Sequence, residues 1–140
     1  MKAINITLLL FLSTQSIFAA DECISGEVIL AGEISNQIQP GGKLFVYVRE
    51  HERESGPPTA VVDIENPEYP QSYKICADDQ MLPMASPKPL NQQYKVYARH
   101  SPNGTPMVKE GFFGTSSGID NKGVSAGETV TVTIREQLDK

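Results

Sequence analysis

The final stretch of the chain alternates between apolar and polar side chains, and this alternation constrains the fold more than any other feature. Val130, Val132 and Ile134 alternate with three threonines. Successive side chains of a β-strand point to opposite faces, so the pattern predicts a strand with one buried and one solvated face. No segment of the sequence sustains the apolar spacing of an amphipathic helix. The sequence therefore predicts a protein built from β-strands.

Other runs rich in β-branched and aromatic residues precede this strand, and each is bounded by Gly, Pro, Asn or Asp. Parallel α/β folds need crossover helices, for which the sequence offers no candidate. We therefore predict an all-β fold, an antiparallel β-sandwich of about seven short strands, with an open or closed barrel as the alternative. The predicted strands are Glu27–Ala31, Lys43–Arg49, Ala60–Ile64, Gln71–Cys76, Tyr94–His100, Met107–Phe113 and Thr129–Ile134.

The strand predicted at Lys43–Arg49 has apolar residues on both of its faces. One face carries Leu44, Val46 and Val48, and the other carries Phe45 and Tyr47. A strand that is covered on both sides is expected in the centre of a sheet, not at its edge.

The first residues have the order of a secretion signal. Lys2 precedes the apolar run Ala3–Leu12, and the small polar residues Ser13, Thr14 and Ser16 follow before Ala19 and Ala20. The run is too short to span the roughly 30 Å of membrane hydrocarbon. We expect residues 1–19 to be a cleaved signal peptide and residues 20–140 to form a single domain. The expected location is the periplasm, as a soluble protein with no membrane insertion after cleavage.

Two cysteines, Cys23 and Cys76, remain after this cleavage. An oxidising compartment favours their pairing, and the bridge would close a loop of about 50 residues, worth roughly 4 kcal/mol by the chain-entropy estimate. The C-x-x-C spacing of redox pairs is missing. We expect a structural disulfide that ties the mature amino terminus to a strand.

The charge and the scarcity of catalytic groups exclude several classes of function. The net charge of −5 disfavours a nucleic-acid or anionic-membrane partner, because phosphate binding needs clustered Lys and Arg. His51 lies in a run of alternating charge that is typical of a solvated hairpin tip. Ser116 and Ser117 lack the G-x-S-x-G spacing and an accompanying His and acid. We expect a protein that is not an enzyme and has no cofactor.

The segment from Asp78 to Met84 is the most unusual in the chain. Its methionines and proline favour an adaptable apolar surface for an extended peptide, or plugs for the open end of the core. A further alternative is a Cu(I) site in which Met81 and Met84 act with His100, although an H-x-M pair and a dense Met repeat are missing. The candidate partner-binding residues are Asp78, Asp79, Met81, Pro83 and Met84, with Tyr97, Phe112 and Phe113 as aromatic anchors.

The order of the segments resembles one family of domains. The runs that carry the resemblance are Pro40–Arg49, Gly56–Pro58 with Ala60–Val62, Asp78–Asp79 with Met81, Pro83 and Met84, Tyr94–Arg99, Gly104 with Pro106, Gly111–Ser116 and the strand at Val130. In this order they are similar to the carboxy-terminal periplasmic domain of cytochrome c biogenesis factors of the CcmI (CcmH/NrfG-like) type. The resemblance spans nearly the whole mature chain. The tetratricopeptide repeats of that family are missing, and the cysteine pair lies outside its pattern.

The resemblance implies an immunoglobulin-like β-sandwich and a non-catalytic binding or assembly module in cytochrome c maturation. The implied partner is a protein or an extended peptide, either apocytochrome c or the maturation machinery that ligates haem. Two other hypotheses stay open: a periplasmic copper or other metal-handling protein, and a chaperone of the secretion-pilot type. Against the second, Asp21 and Glu22 stand where a lipoprotein signal has small apolar residues before its cysteine.

Overall fold

A computed structural model describes residues 23–53, 56–80, 89–104 and 110–138. The predicted signal peptide lies outside these residues. The described strands are β1 (Ile24–Leu30), β2 (Lys43–Glu50), β3 (Ala60–Glu65), β4 (Gln71–Ile75), β5 (Tyr94–Ser101), β6 (Gly111–Ser116), β7 (Val132–Ile134) and β8 (Glu136–Leu138). A short helix, α1 (Gly32–Ser35), follows β1, and a 3-10 turn at Ala77–Asp79 follows β4.

Two sheets make up the sandwich. The three-stranded sheet has the order β4-β1-β7, and the five-stranded sheet has the order β3-β2-β5-β6-β8. The all-β prediction and the immunoglobulin-like sandwich are therefore confirmed. Every neighbouring pair of strands is antiparallel except β1 and β7, which pair in parallel through Val28 and Val132. This pair departs from the predicted antiparallel pattern, because β7 lies beside β1 in the same direction after the chain crosses between the sheets.

The strand β2 lies inside the five-stranded sheet, as its two apolar faces predicted. It pairs along most of its length with β3 on one side and β5 on the other. Leu44, Val46 and Val48 are fully buried between the sheets, while Phe45 and Tyr47 point outward. The side of β2 opposite the core is therefore also covered, by neighbouring side chains on the outer face.

The core fills the space between the two sheets with aliphatic side chains. Ile24, Val28, Tyr73, Ile75, Val132 and Ile134 from one sheet meet Leu44, Val46, Val48, Val96, Ala98 and Phe112 from the other. The sheets come close together where β6 passes β7, because a Cβ atom on Gly114 would lie 2.0 Å from the carbonyl oxygen of Thr133. Only glycine allows this approach of the two backbones.

The predicted disulfide is confirmed. Cys23 and Cys76 are bonded, with their Cα atoms 4.3 Å apart. They extend the β1–β4 ladder by one position beyond the pair Ile24 and Ile75. The bridge thus ties the start of β1 to the end of β4. Within the described ranges, no helix has the length and apolar character needed to cross a membrane.

The strand boundaries differ from the prediction mainly near the carboxyl end. β6 continues to Ser116, while the residues predicted to start it, 107–109, lie outside the described part of the chain. Thr129 forms only an isolated bridge to Ser25, so the regular part of β7 begins at Val132. The strand β8 had no signal in the sequence, because Glu136 and Gln137 are not typical strand residues.

Candidate binding surface

Three aromatic rings line up on the outer face of the five-stranded sheet, the face that points away from the core. Tyr47 and Tyr97 are directly opposite each other on β2 and β5, and their rings stack with centroids 4.9 Å apart and planes within 2°. Phe113 on β6 continues the row, with its ring centroid 6.0 Å from that of Tyr97. Aromatic pairs at such distances attract beyond their burial. The strand register thus builds one continuous ring surface from three separate parts of the sequence.

Positive side chains lie over these rings. The guanidinium carbon of Arg49 is 5.4 Å from the centroid of Tyr47 and 5.1 Å from that of Tyr97. The ammonium nitrogen of Lys95 is 5.6 Å from the centroid of Tyr97. A cation within about 6 Å of a ring centroid is attracted by the ring quadrupole. The rings and cations together form the aromatic–cationic surface, defined here as Tyr47, Tyr97, Phe113, Arg49, Lys95 and Arg99.

Arg99 completes this surface between Phe45 and Phe113, its direct neighbours on β2 and β6. Its Nε and Nη2 atoms are buried and have no hydrogen-bond partner within the described structure. Buried guanidinium donors without a partner cost free energy, since they lose water and gain nothing in exchange. The positive charges of Arg49 and Arg99 also act on Tyr47, whose pKa is nevertheless raised, because burial of its hydroxyl outweighs them.

Negative charge lies at the margins of this surface. Lys43 at the other end of β2 forms ion pairs with Asp63 and Glu65 on the edge strand β3, at 3.5 and 3.8 Å. Glu136 on β8 is opposite Phe113 and is exposed. Among the described residues, no ion pair joins Arg49, Lys95 or Arg99 to a carboxylate.

The structure brings together two of the aromatic anchors predicted from sequence and separates the third. Tyr97 and Phe113 share the outer face, where Tyr97 is 8% exposed and Phe113 is partly buried. Phe112 points into the core, is 6% exposed and has its ring 6.3 Å from that of His100. Adjacent residues of a strand face opposite ways, so only one of the two phenylalanines could reach the outer face.

The predicted acidic residues follow β4 at the edge of the sandwich. Asp79 accepts a hydrogen bond of 2.8 Å from the backbone N–H of Cys76 and so caps the 3-10 turn, while Asp78 is exposed. Gln80 then forms a single antiparallel bridge to Ala60 on β3. The segment thus reaches the edge of the sheet that carries the aromatic–cationic surface. Met81, Pro83 and Met84 lie outside the described residues.

His100, the third member of the metal hypothesis, is 2% exposed in the core. A hydrogen bond of 2.6 Å joins its Nδ1 to the hydroxyl of Tyr69, and burial lowers the pKa of the imidazole. Through the strand register, Gln80 and its partner Ala60 are level with Val96 on β5. His100 is four residues further along β5, which is about 13 Å at the rise of an extended strand. In the described part of the chain, no group of three His, Cys, Asp or Glu side chains converges for a metal ion.

Sequence reasoning missed four members of the surface: Tyr47, Arg49, Lys95 and Arg99. The signal was present on β2, where Tyr47 and Arg49 occupy the alternate positions opposite the core residues Val46 and Val48. What the sequence does not contain is the register that places β2 beside β5. That register is what turns scattered rings and charges into one surface.

Comparisons with known proteins place this geometry in context. A model of the cytochrome c-type biogenesis protein H Ig-like domain matches residues 24–135. Among solved structures, an alternative pilotin from the type II secretion system of Vibrio cholerae is similar, with a TM-score of 0.50 and 15% identity. The alignment covers 85% of this chain and 98% of the pilotin chain, and at this identity it shows a likeness of fold alone. The search of curated proteins found no match.

Proposed function

This chain belongs to the family of the Ig-like domain of cytochrome c-type biogenesis protein H, and we propose that it is a non-catalytic binding module of cytochrome c maturation. The family match over residues 24–135 is the observation that carries the proposal. The role is to hold a partner protein in place while other proteins make and break bonds. Fold by itself does not determine function, so the surface chemistry must supply the further support.

The partner we propose is an extended protein segment, either unfolded apocytochrome c or a component of the haem-ligation machinery. The aromatic–cationic surface supports this, because its partly exposed rings, Tyr47 and Phe113, can contact apolar side chains at low entropic cost. The segment from Asp78 to Met84, which starts at the edge of the same sheet, belongs to the proposed contact region.

The proposed location is the periplasm. The disulfide between Cys23 and Cys76 supports it, since such bonds persist in oxidising compartments. The expected cleavage of residues 1–19 as a signal peptide agrees with the same location.

A binding measurement with the purified mature protein tests the proposal. We expect immobilised protein to retain haem-free, unfolded apocytochrome c and to leave folded holocytochrome c in solution. Replacing Phe113 by Thr should weaken this binding by about tenfold or more, because the contact of its partly exposed ring with the segment is lost. The control is Glu27→Thr, which introduces the same residue at an exposed position of the other sheet.

The outcome that refutes the proposal is equally concrete. If neither apocytochrome c nor any maturation component from a periplasmic extract is retained, a role in cytochrome c maturation is wrong. Equal binding of apocytochrome c and holocytochrome c would also contradict a site for extended segments.

A second candidate function is a chaperone of the secretion-pilot type. The fold likeness to the alternative pilotin, which covers 98% of that chain, is compatible with this candidate. The same retention experiment separates the two, because this candidate predicts recovery of a secretion-system component instead of a maturation component.

A further inference from the structure

The aromatic–cationic surface carries positive charge that no carboxylate of the described residues neutralises by an ion pair. Arg49, Lys95 and Arg99 have no ion pair in the described part of the chain, although the protein as a whole has a net charge of −5. Among the described strand residues, the acidic groups on the same face either pair with Lys43 or lie at the margin on β8. A small positive area with an acidic margin admits a short anionic segment and repels an extended polyanion such as nucleic acid.

Arg99 shows most clearly that this surface is incomplete. Its Nε and Nη2 atoms are the pair that a carboxylate engages side-on with two parallel hydrogen bonds. Both atoms are buried and unpartnered in the described structure. Turning the side chain outward therefore breaks no hydrogen bond at either atom, and a carboxylate from outside would supply the missing acceptors.

The rings specify the rest of the partner. Arg49 and Lys95 both lie over Tyr97, which stacks on Tyr47. Arg49 also donates a hydrogen bond of 3.1 Å from its Nε to the carbonyl oxygen of Gly56, so its charge is held beside the rings. A ligand that uses both features must present anionic groups and apolar or aromatic groups side by side. An extended polypeptide does so, because alternate side chains point to the same face.

We propose that the aromatic–cationic surface binds an extended polypeptide segment whose Asp or Glu side chains pair with Arg99, Arg49 and Lys95. The rings of Tyr47, Tyr97 and Phe113 form the floor on which the segment lies. This inference rests on the proposed function, because it names the chemistry of the segment that the proposed function binds. The experiment below can refute either one without refuting the other.

Thr115 offers a test that leaves the surface itself intact. It is exposed, and it lies directly opposite Tyr97 on β6. Thr115→Lys adds a positive charge beside the rings and Thr115→Glu adds a negative one, while Thr115→Gln is the neutral control. Lys74→Gln, at an exposed position of the three-stranded sheet, controls for a change in net charge.

The probe is a fluorescein-labelled peptide that repeats Glu-Thr-Phe-Thr, so that Glu and Phe alternate along one face of the extended chain, and its carboxyl end is amidated. Its match is the same peptide with Gln for Glu. By fluorescence anisotropy we expect the Glu peptide to bind at least about tenfold more tightly than the Gln peptide. Thr115→Lys should tighten and Thr115→Glu weaken binding of the Glu peptide several-fold, while Thr115→Gln and Lys74→Gln leave it unchanged. Arg99→Gln should weaken binding without lowering the midpoint of thermal unfolding.

Three results would overturn the inference. They are equal affinity for the two peptides, no dependence on the charge at position 115, and displacement of the Glu peptide by an equal concentration of inorganic phosphate. If the Thr115→Glu and Arg99→Gln variants retain apocytochrome c with the affinity of the wild-type protein, this inference is overturned and the proposed function stands. Binding of the Glu peptide without retention of apocytochrome c or any maturation component would support the inference and refute the proposed function.

Discussion

Replacing both Cys23 and Cys76 with alanine should lower the free energy of unfolding by roughly 4 kcal/mol. The bridge joins residues 53 positions apart. Closing a loop of that length removes about 14 cal/mol/K of entropy from the unfolded chain, which is about 4 kcal/mol at 25 °C. The backbone pairing of β1 with β4 does not depend on the sulfur atoms, because it begins at Ile24 and Ile75, next to the two cysteines, and continues along both strands. The variant should therefore fold as before and unfold more easily.

Urea unfolding followed by far-ultraviolet circular dichroism measures this loss. The comparison needs the free energy extrapolated to water, because a chain without the cross-link exposes more surface and has a larger denaturant slope. The wild-type protein in reductant should behave like the double variant, and the double variant should not respond to reductant. A loss below about 1 kcal/mol would refute the assignment of the stabilisation to loop closure.

Three other changes test the packing and the buried polar groups. Burial lowers the pKa of His100, so the imidazole is harder to protonate in the folded protein than in the unfolded chain. The free energy of unfolding should therefore be at its full value above the ordinary pKa of about 6.5 and fall at lower pH, by up to about 1.4 kcal/mol per pH unit. Urea unfolding from about pH 5 to 7 should show a flatter profile for His100→Gln. Gly114→Ala puts a Cβ 2.0 Å from a β7 carbonyl oxygen and should cost about 3 kcal/mol, whereas Gly32→Ala, with no atom within 4 Å, should not lower the melting temperature. Tyr73→Phe removes the 2.6 Å hydrogen bond to the carbonyl of Val130 and should cost about 1 kcal/mol in thermal unfolding.

Alternation in the sequence was enough to predict most strands, because a half-buried strand must repeat with a period of two. It placed β2 and β5 within one residue of their observed ends and β2 inside its sheet. It could not predict that β7 runs parallel to β1, since the residues of β7 face the core in the same alternation whichever way the strand runs. The choice of partner strand depends on contacts far apart in the chain.

The candidate site was predictable only in part for a related reason. Tyr97 and Phe113 were identified as aromatic anchors, but charged residues such as Arg99 are usually solvated and gave no separate signal. Their significance appears once the register sets them beside rings and away from carboxylates. The hydrogen bond between His100 and Tyr69 could not be predicted from the sequence either, because it joins residues that are 31 positions apart.

The parallel pairing of β1 with β7 determines when the domain can be completed. A chain that emerges amino terminus first, from a ribosome or a translocation channel, can pair β1 with β4 early. The other edge of β1 stays open until Val132 and Ile134 arrive from the far end of the domain. Contacts between such distant residues form late, because the entropy of closing the loop must be spent first. The nascent chain therefore carries an unpaired, aggregation-prone strand edge until Val132 and Ile134 are released, and completion of the domain waits for their release.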